Sequence, residues 1–163
     1  MLRKLLVITC LFFVVACDKR PEFEDVKKNF YTNKAAFDEL VSLTCKLGNK
    51  KQKFSYTIDR FGYSPKKIKE EFRNHKLDTL LLKVGGSTII YEKTLAGKCS
   101  LLIGYFASGF GGSGVSYNYR FNIDSITPYD RKKHTLELMS KTGKDSRFDM
   151  PLDNGWYFSF KST

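Results

Sequence analysis

The sequence predicts an α+β fold: an antiparallel sheet of five or six strands, arranged as a β-meander, with a long N-terminal helix packed on one face and a second short helix at an edge. Three patterns support this prediction. An amphipathic helical stripe begins after residue 22, apolar and polar residues then alternate as in half-buried strands, and glycine-rich turns separate several later segments. The chain has 163 residues, which suits one domain with a sizeable core.

The long helix is predicted from a stripe of mostly apolar residues. At 100° per residue these side chains lie within about 60° of one line on the helix surface. The stripe consists of Phe23, Val26, Phe30, Phe37, Leu40, Val41 and Thr44. Asn33 is the strongly polar residue on it, so the segment is either one long helix or two helices that meet near Thr32 and Asn33. Gly48-Asn49 is a typical helix end.

A second, shorter helix is predicted over residues 64–75. Ser64 is a favourable N-cap, and Pro65 suits the first helical position because its φ is already helical. We interpret His75 as a partly covered residue at the end of this helix and not as a catalyst.

The strands are predicted mainly from alternation. They span residues 54–59, 80–82, 87–93, 99–107, 115–123 and 156–161. Gly85-Gly86 predicts a tight hairpin between the second and third of these strands. The segment 99–107 is apolar on both faces, as expected of a central strand, the C-terminal strand should be integral to the sheet, and residues 124–154 are predicted to be irregular. The predicted core includes Phe54, Leu80, Ile103, Tyr119, Phe121, Trp156 and Phe158.

The N-terminus has a positive start, an apolar run from Leu5 to Ala16, and the tetrapeptide Val14-Val15-Ala16-Cys17. The tetrapeptide resembles the lipobox of bacterial lipoproteins, at which signal peptidase II cleaves before a diacylated cysteine. The resemblance implies a signal peptide over residues 1–16, a tether over 17–22 with lipid on Cys17, and a single domain over 23–163. As a helix the apolar run rises about 18 Å, too short for a hydrocarbon core of about 30 Å.

The same resemblance implies a location in the bacterial cell envelope, with the lipid in the membrane and the domain facing the periplasm. Asp18 after the lipidated cysteine resembles the signal that retains lipoproteins in the inner membrane of enteric bacteria, and it favours that membrane over the outer one. More than one acyl chain makes a stable anchor, since a single chain binds only reversibly. An exported domain rarely meets nucleic acid, so we expect no nucleic-acid partner.

The chain is basic, with a net charge of +11. Loss of residues 1–16 removes Arg3 and Lys4, which leaves 26 basic against 17 acidic residues and a charge of +9. Such a domain is attracted to acidic lipid headgroups, lipopolysaccharide phosphates or acidic glycan, but a lysine-rich surface that simply aids solubility is the favoured explanation of the charge. The candidate anion-binding residues are Lys50, Lys51, Lys53, Lys66, Lys67, Lys69, Arg131, Lys132 and Lys133.

Two cysteines remain for the domain, because Cys10 leaves with the signal peptide and Cys17 carries lipid. In an oxidising compartment Cys45 and Cys99 are expected to form a disulfide. A metal site would need both sulfurs to converge with His75 and His134, and no spacing resembles a zinc signature. The sequence therefore indicates neither a metal nor a cofactor.

The segment Gly109-Phe110-Gly111-Gly112-Ser113-Gly114 satisfies G-x-G-x-x-G. A dinucleotide site needs a helix directly after this motif, and here a strand is predicted instead. We therefore interpret residues 109–114 as a hairpin tip and a candidate contact loop.

A remote alternative is a small serine hydrolase. Ser64-Pro-Lys-Lys67, Ser116-Tyr-Asn118 and Lys141-Thr-Gly143 resemble the three motifs of penicillin-binding proteins and serine β-lactamases, which implies Ser64 as nucleophile, Lys67 as its activator, and Ser116 and Lys141 assisting. The chain is much shorter than that fold, the third motif lies in a polar stretch, and Ser116 lies on a long strand.

The sequence thus favours a non-enzymatic, membrane-anchored envelope lipoprotein that binds a protein partner, as an immunity protein, an inhibitor or an accessory subunit does. The alternative is a module that binds an anionic envelope polymer, either lipopolysaccharide or acidic glycan.

Overall fold

The computed structural model describes residues 20–58, 74–110, 113–135 and 145–163. In these ranges three helices and one open, antiparallel six-stranded sheet form an α+β domain, which confirms the predicted class. The helices are α1 (Phe23–Thr32), α2 (Lys34–Gly48) and α3 (His75–Lys83). The strands are β1 (Lys53–Thr57), β2 (Thr88–Lys93), β3 (Cys99–Phe110), β4 (Ser113–Phe121), β5 (Ser146–Pro151) and β6 (Trp156–Ser162).

The strand order is β1-β2-β3-β4-β6-β5, and every neighbouring pair is antiparallel. Strands β2, β3 and β4 form a meander, as predicted for residues 87–123, whereas α3 lies between β1 and β2 in the chain. Strand β3 is paired on both sides, as its apolar faces indicated, and a bulge between Gly104 and Phe106 shifts its register against β4. Strand β6 lies between β4 and β5, so the C-terminal strand is indeed interior.

The N-terminal helical segment is two helices and not one long helix. The break is at Asn33, whose backbone departs from helical values at φ −109° and ψ 19°. The amide group of Asn33 turns back and donates to both the carbonyl and the side-chain oxygen of Asn29. A side chain that bonds to the preceding turn competes with the helical ladder, which explains why the stripe is interrupted at this residue.

The predicted strand over 80–82 and the hairpin at Gly85-Gly86 are wrong, because residues His75–Lys83 form α3. Asn74 caps this helix by accepting from two backbone N–H groups, and Leu77, Leu80 and Leu81 are buried on one side of it. His75 therefore begins a helix instead of ending one. The other residues of the helix predicted over 64–75, apart from Asn74, lie outside the described residues.

The glycine pair after α3 ends a helix and does not turn a hairpin. Gly85 has φ +71°, a conformation that favours glycine, and its N–H donates to the Leu82 carbonyl. The Gly86 N–H donates to the Leu81 carbonyl at 2.8 Å, which completes a Schellman motif.

Strand β5 lies in the stretch 124–154 that was predicted to be irregular. Its two charged residues and terminal proline hide the alternation that marks a strand. It is an edge strand, where proline is tolerated because the ladder needs donors on one side only.

The core lies between the helices and the sheet and is mainly aromatic. Leu80, Ile103, Tyr119, Trp156 and Phe158 are buried as predicted, whereas Phe54 and Phe121 are only half-buried. Phe37 of α2 lies at the centre, with ring centroids 4.7 Å from Tyr119 and 5.1 Å from Trp156.

Hydrogen bonds of one buried tyrosine and a disulfide connect the helices to the sheet. The Tyr119 hydroxyl donates to the Val26 carbonyl at 2.8 Å and accepts from the Asn29 amide at 2.9 Å, and burial raises the pKa of this tyrosine. The predicted disulfide is present, linking Cys45 of α2 to Cys99 of β3 with a Cα–Cα distance of 5.7 Å.

Candidate functional site

The candidate site is the face of the sheet opposite the helices, which we call the uncovered face. Side chains alternate between the two faces of each strand, and the helices pack on the side that carries Ile89, Ile103, Tyr119 and Phe158. No helix of the described part of the chain lies on the other side.

The pairing register forms one line of side chains across the uncovered face, which we call the central row. It consists of Ser55, Ile90, Leu102, Arg120, Tyr157 and Pro151, one from each strand. Adjacent strands are about 4.8 Å apart, so Ile90 and Tyr157 are about 14 Å apart. The four inner residues are half-buried. Three large apolar or aromatic side chains therefore flank one arginine on an accessible surface.

A second line, the polar row, runs beside the central row. It consists of Thr57, Thr88, Gly104, Asn118, Ser159 and Asp149. These residues are small or polar, so the central row stands above them at the surface. A Cβ at Gly104 would make ordinary van der Waals contacts, the nearest at 3.8 Å with Ser87 and Thr88.

Asp149 is the buried carboxylate of the polar row. It accepts from the Ser159 hydroxyl, from the Thr127 backbone N–H at 2.8 Å and from the Arg120 guanidinium at 3.4 Å. Both carboxylate oxygens are therefore occupied, as a fully buried charge requires. The ion pair orients Arg120 in the central row, and we assign Asp149 a positioning role.

The predicted basic clusters do not form one surface. Lys53 begins β1 and pairs with Glu92 at 3.6 Å, whereas Arg131, Lys132 and Lys133 belong to a turn beside β5. Strands β1 and β5 are the two edges of the sheet, about 24 Å apart. Lys50 and Lys51 follow α2 near the first edge, and Lys66, Lys67 and Lys69 lie outside the described residues.

The candidate contact loop is shorter than predicted. Gly109 pairs with Gly114 and Phe110 with Ser113, so the ladder of β3 and β4 continues almost to the tip. Only Gly111 and Gly112 lie outside the described residues. A strand follows the glycines, as predicted, so the arrangement that binds a dinucleotide is not formed here.

The hydrolase residues are not brought together in the described part of the chain. Ser116 lies on the uncovered face of β4, whereas the His134 ring stacks on Phe148 on the helix side of the sheet. Ser64, Lys67 and Lys141 lie outside the described residues. Among the described residues, no group of three or more His, Cys, Asp or Glu side chains is arranged to hold a metal ion.

No protein-family model, no curated protein and no solved structure matches this chain. Of the three helices in the described ranges, none is both long enough and apolar enough to cross a bilayer.

Sequence reasoning missed the central row, although part of the signal was present. Alternation in 115–123 placed Arg120 on the face opposite Tyr119, but it could not show that Leu102 and Tyr157 lie directly beside it. Which side chains are neighbours depends on the register of three strands, and the turns and the bulge determine that register.

His134 gives a prediction about pH. Burial against Phe148 lowers the pKa of His134, although the Asp130 carboxylate opposes this shift, and its neutral Nδ1 accepts from the Asp130 N–H at 2.8 Å. Between the lowered pKa and the unfolded value near 6.5 the unfolded chain binds more protons, so the free energy of unfolding should fall as the pH falls below about 6.5. Urea unfolding of the native protein and a His134→Phe variant between pH 7.5 and 5 should show a weaker pH dependence in the variant. Equal pH dependences would contradict this assignment.

Proposed function

We propose that this chain is a membrane-anchored lipoprotein of the bacterial envelope, and that its domain binds a protein partner through the uncovered face without catalysing a reaction. An immunity protein, an inhibitor or an accessory subunit would work in this way. The observation that carries the proposal is the central row, because a line of accessible aliphatic and aromatic side chains around an oriented arginine has the composition of a protein-binding surface.

The central row also indicates the chemistry of the partner. Ile90, Leu102 and Tyr157 suit an apolar patch on the partner. Arg120 can donate further hydrogen bonds besides its bond to Asp149. A carbonyl or carboxylate on the partner would accept them. The surrounding threonine, serine and asparagine side chains suit a polar rim.

The separation of the described lysine clusters supports a protein partner over an anionic polymer. A polymer that bound Lys53 and Lys132 together would have to cross the sheet from edge to edge. It would pass over the central row, in which Arg120 is the single basic residue and already pairs with Asp149.

The anchor is tested by metabolic labelling. The lipobox Val14-Val15-Ala16-Cys17 supports lipid on Cys17. Radioactive palmitate should label the chain in a bacterial host, and a Cys17→Ser variant should carry no label. Equal labelling of the two would overturn the anchor.

The binding surface is tested with a matched pair of variants. Leu102→Arg places a charge in the central row, whereas Leu95→Arg places one at a side chain that is 97% exposed in the turn after β2. The intact protein, solubilised from native envelope, should retain one partner through a high-salt wash. We expect Leu102→Arg to weaken retention at least tenfold, as for a residue at the centre of an interface, and Leu95→Arg to leave it unchanged.

Two results would contradict the binding proposal. Equal retention by both variants would show that the partner binds elsewhere. Release of everything at high salt, with lipopolysaccharide or glycan in the eluate, would favour an anionic polymer instead.

A further inference from the structure

One end of the sheet combines three features that the proposed function does not use. It contains the tip of the β3–β4 hairpin, the start of α1, and two cations on adjacent strands that form no ion pair within the described residues. We call it the hairpin end. The opposite end contains the turn 94–98.

The start of α1 is held at the hairpin end by aromatic contacts. Phe23, the first residue of α1, has ring centroids 5.4 Å from Phe148, 5.9 Å from Phe160 and 6.0 Å from Tyr117. Those three rings lie side by side on neighbouring strands. Burial raises the pKa of Tyr117 to about 12, and the charge of Arg20 opposes this shift.

The position of Phe23 limits where the lipid can be. Phe23 is six positions after Cys17, and six extended steps of the chain span at most about 21 Å. A lipid on Cys17 would therefore lie within that distance of the hairpin end. The turn 94–98 is farther away, since Lys98, which directly precedes β3, is about 30 Å along that strand from Ala107.

The two cations, Arg147 and Lys161, lie on the uncovered face in the row next to the polar row. Arg147 of β5 is directly opposite Lys161 of β6, and Ser116 of β4 is next in the same row. Like charges directly opposite each other are unfavourable in a sheet. Both side chains are exposed, and in the described ranges neither forms an ion pair with a carboxylate. Asp149, the nearest carboxylate on β5, is occupied by Arg120, Ser159 and Thr127.

The start of α1 and the turn beside β5 carry further charged residues. The ring of His134 in this turn stacks at 4.7 Å on Phe148, which precedes Asp149 and follows Arg147 in β5 and faces the helix side of the sheet. In residues 20–28, in the turn beside β5, at the start of β5 and at the end of β6, the described basic residues are Arg20, Lys27, Lys28, Arg131, Lys132, Lys133, Arg147 and Lys161. The acidic residues here are Glu22, Glu24, Asp25, Asp130 and Asp145, of which Glu24 pairs with Lys27 and Asp130 with Lys133. The balance is positive.

We propose that the hairpin end faces the membrane, and that Arg147 and Lys161 bind the phosphate groups of anionic phospholipids there. The inference rests on the proposed lipid anchor. A guanidinium fork suits a phosphate bidentately, and a neighbouring ammonium adds a second charge-assisted bond. An anionic headgroup would also remove the repulsion between the two cations. The uncovered face would then stand upright on the bilayer, open sideways to a protein partner.

The test compares the reactivity of two lysines in the anchored protein. The intact lipoprotein is reconstituted into vesicles of phosphatidylcholine, either alone or with 30% phosphatidylglycerol. Lysines are modified with an amine-reactive reagent and quantified by mass spectrometry. We expect phosphatidylglycerol to slow modification of Lys161 at least threefold and to leave Lys98, at the opposite end, unchanged.

An Arg147→Gln variant supplies the second measurement. It should lose most of the protection of Lys161, whereas a matched Lys53→Gln variant should keep it. Suppose that the protein floats with the vesicles, but that phosphatidylglycerol affects Lys161 and Lys98 equally or affects neither. Either result would overturn the proposal that the hairpin end faces the membrane and would leave the anchor intact. A chain without a diacylglycerol mass that fails to float would overturn both.

Discussion

Replacing Phe37 by alanine should lower the free energy of unfolding by about 3–5 kcal/mol, the range for removing a fully buried phenyl ring. Phe37 is fully buried and contacts Phe30, Tyr119 and Trp156, so the cavity would open between α2 and the sheet. Urea unfolding monitored by Trp156 fluorescence measures the change. Leu95→Ala is the control, because that side chain is 97% exposed.

The control should cost less than about 1 kcal/mol, as surface substitutions usually do. A loss below that value for Phe37→Ala would mean that the helices do not pack on the sheet as described. Equal losses for the two variants would contradict the assignment of Phe37 to the centre of the core.

Removing the disulfide should have an effect of similar size. Cys45 and Cys99 are 54 residues apart in sequence, and in the chain-entropy model a crosslink closing such a loop stabilises the fold by about 4 kcal/mol. The double variant Cys45→Ala/Cys99→Ala should therefore unfold roughly 10 °C lower. Thermal melts followed by circular dichroism measure this difference.

Reduction of the native protein with dithiothreitol is the internal comparison for the disulfide. It should lower the melting temperature by a similar amount and have no effect on the double variant. A double variant as stable as the native protein would mean that the link between α2 and β3 is not formed in solution.

Local patterns predicted the parts of the fold that depend on neighbouring residues. Alternation placed β4 and its buried face correctly, and the apolar faces of 99–107 located a central strand. The predicted pairing of Cys45 with Cys99 came from a count of cysteines in an oxidising compartment, and the structure has that bond.

The errors arose where two structures share one local signal. Leu80-Leu81-Leu82 with two glycines shortly after it, at 85 and 86, fits a strand and a hairpin, but it also fits the last turn of a helix and its Schellman cap. The Asn74 cap and the burial of Leu77 show that the segment is a helix, and neither feature is visible in a three-residue apolar run. Strand β5 was missed because charged residues and a proline obscure its pattern.

The candidate site was the least predictable feature. Each member of the central row is ordinary in its own segment, and the row exists only because the register places Leu102, Arg120 and Tyr157 side by side. The lysine clusters were visible in the sequence. Whether two clusters share a surface depends on strand order, which placed Lys53 and Lys132 at opposite edges.

The most direct test of the binding surface is site-specific photocrosslinking in living cells. A photoreactive amino acid at position 102 would lie in the central row, and one at position 82 would lie on α3, where Leu82 is 59% exposed on the helix side. We predict one discrete crosslinked protein from position 102 and none of that mass from position 82. The same product from position 82, or no product from position 102, would contradict the proposal that the uncovered face binds the partner.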